Sequence, residues 1–428
     1  MGDTITKVKI LTQYEGMSNS RSLSTYKEHG GYEALAVALK KSPDEIVSIV
    51  KDSGLRGRGG AGFPTGLKWS FVPKTEGKKY LLCNNDEGEP GTFKDRYILE
   101  LSPHMLIEGM IISAFAVGAQ KGYVYTRCEF FDEIKWLDDA IKEAYEAGYL
   151  GKNILGLGFD FDLDQYQGAG AYICGEETGL ISSLEGKKGQ PKLKPPFPAV
   201  SGYLGCPTVV NNTETLSAVP WIVKNGSDAY RAIGTEKSPG TKLFSISGPL
   251  KNPGVFEVPL GYPMMKLVEE DAGGLLEGEE LKAIIPGGLS APVLLPEDVK
   301  DLTLDYEAIA ASKSMLGSGA ITIIPKRQCM VELLKLIMDF YHHESCGQCT
   351  PCREGTGWIT NILEGFFDKS ATVDDIDQIY AICQQMAGRT ICALSDAAMP
   401  TVGIINKFRD ELVSYIERGT ERERFSYI

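Results

Sequence analysis

The 428-residue sequence lacks any run long and apolar enough to cross a bilayer. Its most apolar stretch, Met105 to Ala119, falls short of the roughly 20 residues a spanning helix needs, and it carries Glu108. No direct membrane insertion is therefore expected. A basic stripe is missing as well: 57 acidic residues against 44 basic ones leave a net charge of −13, so nucleic acid is not an expected partner. The amino terminus has neither an apolar secretory core nor an Arg-rich transit helix, which predicts a chain that stays in the reducing cytoplasm where it is made. Ten cysteines without disulfide-like pairing agree with that compartment. Repeats and low-complexity tracts are also absent, and a chain of this length divides into several domains.

What is present concentrates in Glu344 to Gly357, ESCGQCTPCREGTG, where Cys346, Cys349 and Cys352 follow one another at C-x2-C-x2-C spacing. That run is an iron–sulfur pattern, whereas isolated C-x2-C pairs are typical of zinc. A structural zinc, which would leave the protein colourless, is the alternative. The run needs a fourth thiolate. Cys392 is the better candidate, because Gly388, Arg389 and Thr390 break the helical pattern just before it, while Cys383 sits in the apolar stripe of Ile376, Ile379, Ile382 and Met386 and reads as core.

Along the chain, the first forty residues read as a polar, irregular arm without chemistry. Ser42, Pro43 and Glu45 mark a helix start, and Gly54 ends that helix. The loop GLRGRGGAGFPTGLKW follows, its glycines leaving a backbone able to wrap a ligand closely. Strands are then expected from Lys79 to Asn84, Gly122 to Thr126 and Phe159 to Leu163, alternating with helices from Pro103 to Ala119 and Phe131 to Ala147. Such alternation predicts a parallel, Rossmann-like sheet. A change of pattern near Lys237 to Gly240 introduces a small β-grasp domain with a short helix near Pro263 to Glu270 and a strand at Leu281 to Ile285. Helices close the chain, among them Met330 to Tyr341 and Asp374 to Met386. The expected division is an arm and glycine-rich loop (1–66), a Rossmann-like domain (67–238), a β-grasp domain (239–326) and a helical iron–sulfur domain (327–428).

Gly57, Gly59 and Gly62 match G-x-G-x-x-G, but a dinucleotide fingerprint follows a strand and opens a helix, and this loop follows a helix. It reads instead as a phosphate or flavin cradle reinforced by Arg58 and Lys68, with a solvated loop as the alternative. NNDEGEPG places Asn84, Asp86, Glu87 and Glu89 directly after a strand, where open α/β sheets bind ligands. GAYICGEETGL adds Gly175, Glu176 and Glu177, and TVVNNTET adds Asn211, Asn212 and Thr215. Phe63, Phe71 and Phe197 lie in Gly and Pro contexts that leave rings free to sandwich an adenine.

These segments, with PPFPA and ESCGQCTPCREGTGW, occur in the order and spacing of the NADH-binding flavoprotein subunit of respiratory complex I, and the resemblance covers nearly the whole chain. It implies FMN held by Gly57, Arg58, Gly59, Gly60, Lys68, Asn84, Asp86, Glu87, Gly175, Val210, Asn211, Asn212 and Thr215. It implies NADH stacked on that flavin beside Phe63, Lys68, Phe71, Glu89, Glu176, Glu177 and Phe197, and a 4Fe-4S cluster on Cys346, Cys349, Cys352 and Cys392. No side chain is implied as acid or base, because hydride passes from NADH to FMN, with Glu177 near the nicotinamide. The implied partners are a thioredoxin-like 2Fe-2S subunit and a large iron–sulfur subunit, on the cytoplasmic side of the inner membrane. The diaphorase subunit of a soluble NAD-linked hydrogenase or formate dehydrogenase is the alternative. The carboxylates of the site further predict poor use of NADPH, by charge repulsion of its 2′-phosphate.

Overall fold

The computed structural model describes residues 8–418, so the ends of the expected division, 1–7 and 419–428, lie outside the described residues. Residues 8–41, expected to be irregular, carry two helices, α1 (Leu23–Glu28) and α2 (Glu33–Ala38), and bury Ile10, Leu11, Tyr14, Tyr26 and Leu35. The arm reads as polar because its anchors lie far away in sequence. Glu257 accepts the amides of Ile10, Leu11 and Thr12, and Glu108 accepts the Tyr26 hydroxyl and the amides of Tyr32 and Leu35.

α3 (Pro43–Asp52) starts as its sequence dictates, with Ser42 and Glu45 forming a capping box and proline in the first turn. After the glycine-rich loop and α4 (Thr65–Ser70), strands and helices alternate: β1 (Tyr80–Asn85), α5 (Lys94–Leu101), α6 (Pro103–Val117), β2 (Lys121–Thr126), α7 (Phe131–Glu146), β3 (Asp162–Gln167), α8 (Glu177–Leu184), β4 (Thr208–Asn212), α9 (Thr213–Asn225) and α10 (Ser227–Arg231). The four strands are parallel in the order β3-β2-β1-β4, which is the expected Rossmann-like sheet. Because strand side chains alternate, Leu81, Cys83, Val124 and Val209 pack against α6 and α9, while Leu82, Tyr125 and Val210 share a core with α8 and the C-terminal helices.

β3 begins later than expected. The apolar Phe161 pairs instead with Gly151 in both directions, and the strand on β2 runs through Asp164, Gln165 and Gln167, as an edge strand partly open to water can. No single helix among the described residues is long and apolar enough to cross a membrane. α5 and α6 together have the composition, but they are bent by 101° and α6 is buried apart from Phe115.

The β-grasp domain contains β5 (Thr241–Ser247), β6 (Gly254–Pro259), β7 (Tyr262–Pro263), α11 (Met264–Lys266), β8 (Leu281–Ile285), α12 (Pro296–Val299), β9 (Thr303–Leu304), α13 (Tyr306–Ala311) and β10 (Ala320–Pro325). Its sheet runs β6-β5-β10-β8, with β5 and β10 parallel and the outer pairs antiparallel, over a core that includes Phe244, Ile246, Ile284 and Ile321. The C-terminal domain is a bundle of α14 (Met330–Glu344), α15 (Thr350–Asp368), α16 (Val373–Met386) and α17 (Ala398–Arg418). Leu334, Ile337, Ile359, Leu363, Ile379 and Cys383 meet in its centre.

Candidate functional site

A cleft of about 890 Å³ opens past the C-terminal ends of β1 and β4, where an open parallel sheet leaves backbone groups unpaired. All three domains wall it. Asn84, Asp86 and Asn212 come from the Rossmann-like sheet, with Gly59 and Gly60 from the glycine-rich loop packed on it; Ser290 and Lys313 to Met315 come from the second, and Gly388, Cys392 and Leu394 from the third. Of the expected residues, Glu87, Glu89, Gly175 and Glu176 also face it.

The glycine-rich loop enters as a tight hairpin, with Gly57 N–H donating to the Phe63 carbonyl at 2.8 Å. Gly60 has φ +142° and open space where a side chain would stand, so the bare backbone reaches the cleft. Among the described residues no acceptor takes the amides of Gly59, Gly60 or Ala61. Free amides lining a cavity fit a phosphate or another anion.

The expected clamp role of the Arg58 side chain is corrected. Its buried guanidinium turns away from the cleft and donates to the Tyr230 hydroxyl and the Pro239 carbonyl, both at 3.0 Å. Lys68 is likewise spent elsewhere, on Glu177 at 3.0 Å and the Val210 carbonyl at 2.8 Å. Trp69 Nε1 donates to Asn211 Oδ1, and Arg58 N–H donates to Thr215 Oγ1. Val210, Asn211 and Thr215 therefore build the wall from behind. A buried cation or amide must be satisfied by close partners, and those partners are brought together only by the fold.

The acidic turn is similarly committed. Glu87 accepts the amides of Lys94 and Asp95 and caps α5, while Glu89 accepts Ser290 N–H and Oγ–H, both at 2.7 Å, and the Tyr172 hydroxyl at 2.7 Å. Glu89 thus ties the first domain to the β-grasp domain. Glu176 caps α8 and pairs with Lys194 at 3.1 Å; Glu177 pairs with Lys194 at 2.7 Å as well as with Lys68. Burial pushes Glu177 up, but the two ammonium groups outweigh it and hold the carboxyl below its usual range. Burial raises Asp86 to about 7 despite the nearby Arg127.

Phe63 and Phe71 are about half exposed, with rings 6.2 Å apart, and Phe197 is 58% exposed without a ring contact to either among the described residues. Sequence reasoning missed Lys94, Asp95, Tyr172, Lys194 and Ser290. Lys94 is buried between Asp95 at 2.7 Å and Glu214 at 2.8 Å, and only its position after the acidic turn signalled it.

At the other end, Gly347 turns the loop between α14 and α15 with φ +75°, Cys349 stands at the α15 N-cap and Cys352 lies in its first turn. Ile391 N–H points at Cys349 Sγ at 3.4 Å, which brings the segment of Cys392 onto the same loop. Burial raises the Cys352 thiol, and Cys346 and Cys349 raise it further; burial pushes Cys392 up to about 11, with Cys346 and Cys352 adding to it. Among the described residues, no three Cys, His, Asp or Glu side chains close up as they would around one metal ion. Thiols that act on one another electrostatically share one neighbourhood, as the corners of a multi-atom cluster require. Cys383 is fully buried on α16.

Residues 50–221 match the family described as Nuo51 FMN-binding domain, residues 243–293 the SLBB domain, and residues 332–415 the NADH-ubiquinone oxidoreductase-F iron-sulfur binding region. An NADH-quinone oxidoreductase subunit of Rhizobium meliloti (strain 1021) is 52% identical over 411 residues, covering 95% of this chain and 97% of that protein. The corresponding NADH-quinone oxidoreductase subunit of Mycobacterium bovis is 48% identical over 96% of this chain and 94% of that one. Among solved structures, an NAD+-reducing [NiFe]-hydrogenase in the H2-reduced state superposes with a TM-score of 0.83 at 37% identity, over 96% of this chain and 70% of that chain. With an FMN-binding domain, an SLBB domain and an iron–sulfur region in this order, and relatives of nearly equal length at 48–52% identity, the chain belongs to the family of FMN-binding, iron–sulfur NADH-quinone oxidoreductase subunits.

Proposed function

We propose that this chain is the NADH-oxidising subunit of an NADH:quinone oxidoreductase, with FMN in the cleft and a 4Fe-4S cluster on Cys346, Cys349, Cys352 and Cys392. The observation that carries this reading is that Cys392 and the flavin-motif residues Gly59, Asn84 and Asp86 wall one and the same cleft. When bound, FMN supplies hydride acceptance from nicotinamide and release of electrons singly to the cluster.

The chain's own contribution is binding and orientation. The free amides of Gly59 to Ala61 receive a phosphate, and the Asn84 side chain, braced on the Gly175 carbonyl at 2.7 Å, holds the turn against which a flat ring would lie. Phe63, Phe71 and Phe197 offer exposed rings for an adenine. Glu89, Glu176 and Glu177, each held by donors, line the dinucleotide approach. No acid or base is assigned, since hydride transfer between two bound rings needs geometry and exclusion of water.

In the complex, the partners are a thioredoxin-like 2Fe-2S subunit and a large iron–sulfur subunit, on the cytoplasmic face of the inner membrane. The superposition on a hydrogenase chain keeps a second reading in view, a diaphorase subunit of a soluble NAD-linked enzyme. Identification of the proteins that co-purify from the native membrane fraction separates the two. NADH-dependent ferricyanide reduction by the purified, flavin-loaded chain tests the activity itself, and its absence in a chain with full FMN and iron content would refute the reading.

A further inference from the structure

The β-grasp domain reaches across to the glycine-rich loop at several points. Tyr306 on α13 donates its hydroxyl to the Gly57 carbonyl at 2.9 Å, and Lys242 on β5 donates its Nζ to the Arg58 carbonyl at 3.3 Å. Arg56 at the loop entrance lies over the Tyr306 ring at 3.8 Å and pairs with Glu307 at 2.6 Å, whose other oxygen accepts the Ser238 hydroxyl. A Cβ on Gly62 would stand 2.6 Å from the Tyr306 ring, so the loop and α13 are in close contact.

These contacts decide where the loop's amides point. Across a trans peptide, C=O and N–H face opposite ways, and the bonds here are trans. The peptide joining Gly57 to Arg58 is gripped from both sides, its carbonyl by Tyr306 and its N–H by Thr215 Oγ1 at 2.8 Å. In the next peptide, Lys242 holds the Arg58 carbonyl, and the Gly59 N–H therefore faces away from Lys242, at a residue that lines the cleft and whose amide has no acceptor among the described residues. Lys242 is fixed in turn by Glu214 at 3.2 Å.

We propose that Tyr306 and Lys242 are positioning residues for the flavin phosphate: from a separate domain, they turn the glycine-rich backbone so that its amides form the anion cradle. The proposal rests on the FMN reading above. It gives the β-grasp domain a defined task in the reaction, retention of the cofactor through its phosphate, and removes the need for the Arg58 side chain to do so.

The test uses the full chain with its cluster, stripped of flavin and titrated separately with FMN and with riboflavin, which lacks the phosphate, with binding followed by quenching of flavin fluorescence. Tyr306→Phe removes one hydroxyl from a half-buried ring and should weaken FMN roughly tenfold while leaving riboflavin unchanged. Lys242→Met should act in the same direction, and if that buried change prevents folding, Tyr306→Phe decides alone. Equal weakening of FMN and riboflavin, or unchanged FMN affinity in Tyr306→Phe, overturns the proposal and leaves the FMN reading standing. A parent chain that binds no FMN overturns both.

Discussion

Asp86 is a cleft carboxylate that its surroundings shift far from its ordinary range. Burial raises it to about 7, Arg127 opposes that rise, and Glu129 and Glu344 add to it. Because its folded value lies above its unfolded one, Asp86 contributes stability that is complete below the ordinary carboxylate range and is lost as pH rises through about 7. Asp86→Asn removes that dependence. In the flavin-free chain, the gain in unfolding midpoint from Asp86→Asn should therefore be larger at about pH 8 than at about pH 5, and a pH-independent gain would count against the assignment. Glu177 carries a second expectation. The sequence alone predicts that its charge repels a 2′-phosphate, but Lys68 and Lys194 already neutralise it, at 3.0 and 2.7 Å. Glu177→Gln then leaves two ammonium groups with less counter-charge. The ratio of kcat/KM for NADPH to that for NADH should rise, by about tenfold for each ~1.4 kcal/mol of altered interaction, and an unchanged ratio with FMN still bound would remove Glu177 as the discriminating group.

At the scale of elements, the cysteine loop and the amino-terminal arm make contrasting cases. The loop between α14 and α15, with the first turn of α15, supplies three sulfurs, and Cys392 lines the cleft while Cys383 is buried on α16. Cys392→Ala should lower iron per chain, Cys383→Ala should not, and equal loss in both would refute the ligand assignment. The arm is pinned by Glu257, which takes three amides together with the hydroxyls of Thr12 and Thr241. Hydrogen bonds to a buried carboxylate are worth about 1.5–3 kcal/mol each, so Glu257→Gln should lower the unfolding midpoint and speed protease cleavage within residues 8–41. An arm cleaved no faster than in the parent would show that its apolar contacts alone hold it.

For the whole molecule, the cleft is a junction of three domains, with Glu89 bonded to Ser290 at its wall and Tyr306 bonded to Gly57 in the loop that enters it. A ligand seated there stabilises all of its walls at once. FMN at ~100 times its Kd should add about 2.7 kcal/mol and raise the midpoint of the domains together. Calorimetry in which FMN shifts one transition and leaves the others in place would show that the domains unfold independently.

The sequence by itself determined the parallel sheet, through helix and strand periodicity, the α3 start, through Ser42, Pro43 and Glu45, and the three-cysteine loop, through its spacing. These are local properties, set by neighbours within a few residues. Tertiary structure alone decided what each polar group does: that Arg58 turns to Tyr230 and Pro239, that a seemingly polar arm is buried under Glu108 and Glu257, and that Lys94 and Lys194 join the site. The reason is physical. A buried donor or charge is satisfied only by a partner within hydrogen-bonding distance, and in this chain most of those partners stand far away in sequence, so their pairing exists only once the three domains have closed on one another.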